Sequence, residues 1–517
     1  MESYNLINGN IITLNAKYPT VNSISIQDGK IIGINNPKKN IINIDLKGKT
    51  VIPGFIDAHF HLKNFGKRLE QLNLKQMNDL NEIGNCIKEK LKNISREEWL
   101  LGFGWDQNLF KDGRYPPSDF LNKLAPDTPI YLTRIDGHSA WVNEAAMKKA
   151  GVSLNHLKSI KGGSLINDCV VVDNSMHLFT KVLPSDSVKQ IKKWIKKAID
   201  QTIKMGITGV HDAWQDYNTV QAIKELIIEG AFPIRCYGML AGNDKKLLNM
   251  FFKNGHYETE YYKIRSVKAF IDGALGSRGA ALHSPYCDDQ HNCGLILISK
   301  EEFDTLSMNC YNNNYQLNTH AIGDRGNSYV LDTYSKVLKT SNNRRWRIEH
   351  AQMVQDADLM RFKDYSILPS MQPSHCTSDM PWLHKRLGNE RLKLISRWKS
   401  FIQLDLKIPG GSDCPIESGN PLFEFYAAVT RKNHKGLPNN GWQPQEKVMP
   451  IQALKMFTQW AAYGGFDDSK RGTIEIGYDA DLTILSKNLL DINDKEILST
   501  SICYTIVNGK IIYENLN

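Results

Sequence analysis

Two histidines one residue apart, His59 and His61, close the stretch Ile52-Pro53-Gly54-Phe55-Ile56-Asp57-Ala58-His59-Phe60-His61. Side chains alternate faces along a strand, so both imidazoles point the same way and could grip one divalent metal. Four more residues each end, follow or sit inside an apolar run: Lys268 in SVKAFIDG, His320 in LNTHAIGD, His350 in RWRIEHAQ and Asp413 closing IPGGSD. Singly, each has a bland role as a core histidine, a helix cap or a snorkelling lysine. Jointly, four histidines, one aspartate and one lysine at successive strand ends would converge on one point, provided the strands close into a barrel.

The elements that must position them alternate in kind. Strand candidates are 55–62, 130–133, 209–212, 266–271, 316–320, 346–350, 368–371 and 408–410, with helices between them such as 187–204, 301–312 and 451–463. Strands alternating with helices favour a parallel sheet, and about eight of them predict an α/β fold of the (β/α)8, TIM-like barrel type, with its chemistry at the C-terminal strand ends. Both chain ends carry hairpin dipeptides among β-branched residues: Asn8-Gly9, Asp28-Gly29 and Asn508-Gly509. These predict a small β-sandwich domain built from both termini. The expected division is residues 1–54 for the first part of the sandwich, 55–466 for the barrel and 467–517 for the second part. A stretch rich in Trp, Gly and Pro, at about 64–200, reads as an insertion over the barrel mouth.

Composition narrows the class. Of 517 residues, 41% are hydrophobic and 23% charged, a balance that excludes a mostly disordered chain. The net charge of +9 is spread without a long basic block, so no nucleic-acid partner is expected. Nine cysteines, an odd number with no Cys-x-x-Cys pair, argue against a disulfide framework and a cysteine zinc site. The opening residues do not read as a secretory signal, and no long apolar run predicts a membrane span. A soluble, cytoplasmic protein is the expectation.

The motifs PGFIDAHFHL, GFGWDQ, RIDGHSAWVN, GITGVHDA, VKAFIDGALGSRGAAL, THAIGDRGN, RIEHAQ, SMQPSH, GGSDCPIE and GTIEIGYDADLTIL occur in that order over nearly the full length. On these the chain resembles the amidohydrolase superfamily. It is most similar to the amidohydrolase 3 or YtcJ-like family, which includes N-substituted formamide deformylases. The resemblance implies that His59 and His61 hold the more buried metal. It also implies a carboxylated Lys268 bridging to a second metal on His320 and His350, with Asp413 as both ligand and base. A lysine carbamate carries one negative charge on two oxygens, so it can bind two cations. Zinc, as one or two divalent ions per chain, is the expected cofactor. The implied activity is hydrolysis of a non-peptide carbon–nitrogen bond, amide or formamide-like, in a small-molecule substrate. The same scaffold could instead run ester hydrolysis, deamination or isomerisation, or serve as a non-catalytic assembly module. A homodimer without membrane contact is expected.

Trp105, Asp106, His138, Asp272, Arg278 and Gln372 are candidates to line the substrate pocket. Trp105 reads equally as core packing, and Arg278 equally as the partner of a loop acid. His211 matches no metal ligand of the family and reads as a hydrogen-bonding support. Asp324 reads as orienting His320 or a loop. Two departures stand out. Cys414 follows Asp413 where the family often has a small apolar residue, and the stretch after Gly162-Gly163 lacks the family's second glycine-rich turn.

Overall fold

A computed structural model describes residues 3–135, 139–161, 163–184 and 186–515. The chain divides into two compact units, Met1–Lys63 with Ile195–Asn517, and Asn64–Trp194. Among the described residues, no helix is long and apolar enough to cross a membrane.

The first unit contains seven parallel strands in sequential order: Phe55–Phe60, Ile207–Gln215, Arg235–Ala241, Tyr262–Phe270, Gln316–Ala321, Arg347–His350 and Leu368–Ser370. The gap between the seventh and the first is spanned by residues 409–414. Met371 N–H donates to Pro409 O (3.1 Å), Gly411 N–H to Met371 O (3.1 Å), Ala58 N–H to Gly410 O (2.9 Å) and Asp413 N–H to His59 O (2.7 Å). Only isolated bridges form, Met371 to Gly410 and Phe60 to Cys414. Pro409 lacks a donor, which interrupts a regular ladder. The close approach also requires glycine: a Cβ on Gly411 would lie 2.5 Å from the His59 nitrogen.

Three expectations are corrected. Residues 130–133 form a strand, Ile130–Arg134, but it belongs to the sheet of the second unit. The third barrel strand is instead Arg235–Ala241, whose run RCYGMLA mixes Arg, Gly and Cys and carries a weak apolar signal. The helix expected over 451–463 breaks into Pro450–Met456 and Gln459–Gly464, with Thr458 at φ −139°, ψ −91° between them.

Both chain ends build two further sheets. One runs Lys30–Ile34, Ile24–Gln27, Ser3–Ile7, Ile42–Asp45; the other runs Lys510–Glu514, Ile502–Val507, Leu482–Leu485, Thr50–Pro53, Asn10–Ile12, Thr20–Val21. Leu6, Ile24 and Ile26 of the first share one apolar cluster with Val51, Leu482, Ile484 and Ile506 of the second. Asp28-Gly29 and Asn508-Gly509 close hairpins, pairing Gln27 with Lys30 and Val507 with Lys510. Asn8-Gly9 does not: Ser3–Ile7 and Asn10–Ile12 lie in different sheets, so this turn carries the chain from one to the other.

The second unit has its own six-stranded sheet, ordered Gly163–Ile166, Val170–Asp173, Ser139–Val142, Ile130–Arg134, Leu100–Trp105, Leu72–Asn73. Trp105, Trp141, Leu132 and Ile83 are fully buried in its core.

Candidate metal centre

The six residues singled out for metal binding sit at the C-terminal ends of the barrel strands and form one connected cluster. Donor atoms of His59, His350 and Asp413 lie within 4.8 Å of one another. His61 Nε2 is 3.0 Å from Asp413 Oδ1, and His59 Nε2 is 3.5 Å from the same oxygen. Lys268 Nζ lies 3.1 Å from His59 Nε2. The His320 ring meets the His350 ring edge-on, with centroids 4.5 Å apart.

Local backbone geometry makes this convergence possible. Simple alternation would send Glu349 and His350 to opposite faces of the sixth strand. His350 adopts φ 74° and Ala351 φ 40°, so the strand turns sharply and both side chains reach the barrel interior. Asp413 has φ 57° for the same re-aiming at the end of its segment. Positive φ in non-glycine residues is costly and concentrates at functional sites.

Two of the rings, His59 and His350, are oriented by partners outside the six-residue cluster. His59 Nδ1 lies 2.6 Å from Glu349 Oε2, and a carboxylate can only accept, so Nδ1 carries the proton and Nε2 faces the other donors. His350 Nδ1 is 2.7 Å from Gln372 Oε1, which fixes that ring in the same sense. Asp57 ties the first strand to the closing segment: its Oδ1 accepts the His59 and Ser412 N–H groups (3.0 and 3.1 Å), and its Oδ2 accepts the Ser412 hydroxyl (2.6 Å).

The donor set fits a divalent ion. His320 Nε2 is buried with no hydrogen-bond partner, and so is Nε2 of His375, which points toward Asp413 Oδ2 at 3.8 Å. Buried ring nitrogens without partners are costly unless a ligand satisfies them. Burial, followed by the nearby Lys268, pulls the His59 imidazolium pKa down to about 4 and that of His320 to about 3. Both rings are therefore neutral at pH 7, the form that donates a lone pair. Burial alone would raise the Asp413 carboxyl, but His59, His61 and His350 hold it well below the usual range, so it is anionic.

The family described as "Amidohydrolase family" matches residues 43–513. The chain belongs to the Amidohydrolase family. It is 31% identical to "Protein LONG AFTER FAR-RED 3" of Arabidopsis thaliana, over 98% of this chain and 91% of that protein. It is 29% identical to "Putative amidohydrolase YtcJ" of Bacillus subtilis, over 98% of each. A third relative, at 24%, is "N-substituted formamide deformylase" of Arthrobacter pascens, with 99% of each covered. Among solved structures, an uncharacterized metal-dependent hydrolase from Pyrococcus horikoshii superposes with a TM-score of 0.82 at 26% identity, covering 95% of this chain and 99% of that one.

Below the candidate metal centre, the barrel carries a column of buried charge where barrels usually hold branched apolar side chains. Glu349 Oε1 lies 3.7 Å from Arg347 Nη1. Arg347, fully buried, donates to Ala58 O (3.2 Å), to Gly464 O (2.6 Å) and to His211 Nδ1 (3.0 Å). Arg is donor-only, so His211 must accept through Nδ1. His211 thus supports Arg347. Burial would raise the Glu349 carboxyl, but His59, Arg347 and Lys268 hold it at about 2. Glu349, Arg347, His375 and Asp57 were not singled out from the sequence, although each lies within a quoted motif or next to a named histidine. A carboxylate beside a strand-end histidine was the available signal for Glu349 and Asp57.

The pocket candidates find other partners. Trp105 is fully buried in the core of the second unit and donates Nε1–H to Leu132 O (2.7 Å), so no ring face is left open. Asp106 caps a short 3-10 helix through Asn108 N–H (3.0 Å) and pairs with Arg134 (2.8 Å). Asp272 accepts backbone N–H groups of Ala281, Ile322 and Gly323 (2.9, 3.0 and 2.8 Å), pinning the loops after the fourth and fifth strands. Arg278 forms a two-pronged pair with Asp288 (3.2 and 3.0 Å), the loop acid of the alternative reading. Gln372 acts on His350 as described. Asp324 holds loops through His283 N–H (3.1 Å) and Gln355 Nε2 (2.5 Å). His138 lies outside the described residues.

Proposed function

We propose that this chain is a metal-dependent amidohydrolase that cleaves a non-peptide amide or formamide-like carbon–nitrogen bond with a metal-activated water. The observation that carries the reading is the cluster itself: His59, His61, Lys268, His320, His350 and Asp413 gathered at the strand ends, with His320 Nε2 buried without a hydrogen bond and 3.5 Å from Asp272 Oδ1. One or two divalent ions, zinc on this reading, would polarise the substrate carbonyl and acidify a water. Lys268 is read as carboxylated. Burial lowers its pKa to about 8 against the pull of Glu349 and Asp413, which favours the free amine that carboxylation requires.

The chain's own residues then divide the work. His59, His320 and His350 present neutral ring nitrogens, and His61 directs its Nε2 at Asp413. Asp413, anionic and held by His61, takes the proton from the attacking water and returns it to the leaving nitrogen. Glu349 and Gln372 keep the His59 and His350 rings in place. A deformylase among the relatives favours a formamide-like substrate. The reading includes a small-molecule substrate, a cytoplasmic homodimer, no nucleic-acid partner, and a β-sandwich domain of residues 1–54 and 467–517 beside a barrel domain of 55–466.

Metal analysis of the purified full chain, combined with a hydrolysis screen, tests this. About one or two transition metals per chain, and turnover of N-acyl amines, formamides, N-acyl amino acids or cyclic amides in preference to esters, is the expected result. A metal-free chain that stays inert when zinc, manganese or iron is added overturns it.

A further inference from the structure

Two aromatic side chains stand beside the metal centre without a place in the cluster. Phe270 ends the fourth strand, two residues beyond Lys268 and so on the same face. Its ring lies 5.2 Å from the His320 ring and 5.1 Å from Lys268 Nζ. Trp214, near the end of the second strand, packs edge-on against Phe270 at 5.1 Å. Both are half-buried rather than sealed into a core.

The backbone at Trp214 is unusual. Ala213 pairs with Met239 and Gln215 with Leu240, which leaves Trp214 as the extra residue of a β-bulge. Its φ is 113°, a region that side-chain-bearing residues rarely occupy. Bulges next to active sites re-aim side chains, and backbone strain persists where the surrounding structure enforces it. A glycine would suit this backbone better, yet the largest side chain occupies it.

We propose that Trp214 and Phe270 form an aromatic wall at the metal centre that selects substrates carrying an aromatic ring next to the scissile bond. This deepens the amidohydrolase reading and rests on it. A ring seated on the wall gains edge-to-face or stacked contact and excludes water from the reacting carbonyl. Trp214 and Phe270 are thus specificity determinants and take no part in bond cleavage.

The zinc-loaded full chain is tested with N-benzylacetamide, N-methylbenzamide and N-methylacetamide, which place a ring on the amine side, on the acyl side and on neither. Both kcat/KM and, by calorimetry, Kd are measured for the wild type, Trp214→Gly and Phe270→Leu. The wild type is expected to favour one ring-bearing amide by about tenfold or more in each quantity. Each variant should bring that ratio close to one. Trp214→Gly relieves the backbone but loses the packing on Phe270, so its Tm is read beside its selectivity, and a change in the ratio among the amides rather than a uniform weakening reports the wall. If neither these amides nor the formamides of the wider screen are hydrolysed but ring-dependent binding is present and disappears in the variants, the hydrolytic reading fails and the wall stands. Equal binding of all three amides by the wild type overturns the wall. So does a ring preference that survives both substitutions, or a Trp214→Gly chain whose Tm drops while all amides weaken equally.

Discussion

Between the terminal sheets, Leu6, Ile24, Val51, Leu482 and Ile506 are buried against one another; inside the barrel the buried side chains include Lys268, His59, Glu349, Arg347 and His211. The first arrangement gains stability from each apolar Å2 removed from water. The second pays desolvation for every charge and recovers it only through tight pairing. The difference extends to unmet hydrogen bonds. Among the described residues, His320 Nε2, His375 Nε2, both amide atoms of Asn318 and Glu349 Oε1 are buried with no hydrogen bond, whereas no side-chain atom of the terminal sheets is. One region leaves none of its described side-chain polar atoms buried and unmet, and the other leaves several beside the candidate metal site.

The largest expected break in that contrast comes from the barrel. Asp413→Asn keeps the size of the side chain but removes the anion that His59, His61 and His350 surround. Turnover of the best amide should fall by ~10^2–10^4-fold, while metal content per chain stays similar. Near-normal turnover would mean that another group accepts the proton. Leu482→Ala breaks the other region. Leu482 is fully buried, so unfolding free energy in urea should fall by about 2–5 kcal/mol. Metal content and kcat of the chain that remains folded should be unaffected.

The two regions also differed in how much of them could be read from the sequence. Alternating apolar residues and Asn508-Gly509 announced the terminal strands, because one buried face leaves a period-two pattern. Asn8-Gly9 misled because a turn dipeptide fixes only the turn, and the chain's exit to another sheet is a tertiary matter. In the barrel, His59, His61, Lys268, His320, His350 and Asp413 were legible because their residue types and strand-end positions advertise metal chemistry. Arg235–Ala241 was not, and 130–133 took its place, since an apolar run cannot say which sheet it joins. Glu349 escaped notice for a subtler reason. Alternation sets it opposite His350, and only the positive φ at His350 brings both inward.

Glu349→Gln sharpens the comparison at a smaller scale. The amide still offers an oxygen to His59 Nδ1 but no longer balances Arg347. Partners that orient metal-binding histidines typically affect metal affinity by ~10–100-fold. The expected outcome is a weakening of zinc binding in that range, measured by competition with a chelator. Leu482→Ala should leave zinc affinity in place. Equal loss in both variants would show that the buried carboxylate acts only through general stability.

The smallest effect separates the regions by acidity. In metal-free protein, burial holds His59 near a pKa of about 4 and His320 near about 3, against 6.5 for an exposed histidine. Between pH 6.5 and about 4 the unfolded chain therefore binds protons that the folded chain refuses. Each such histidine contributes a loss of stability of about 1.4 kcal/mol per pH unit as the pH falls through that window, against the opposite contribution of Asp57 and Asp272, whose burial pushes their carboxyls up to about 7. The apolar cluster of the terminal sheets has no group that titrates there. Leu482→Ala should consequently shift the whole stability-against-pH curve downward without changing its slope. His320→Gln removes one proton-refusing site and should flatten the curve below pH 6.5. Urea titrations of the metal-free variants at several pH values distinguish the two behaviours, and parallel curves for His320→Gln and the wild type would detach acid sensitivity from the metal centre.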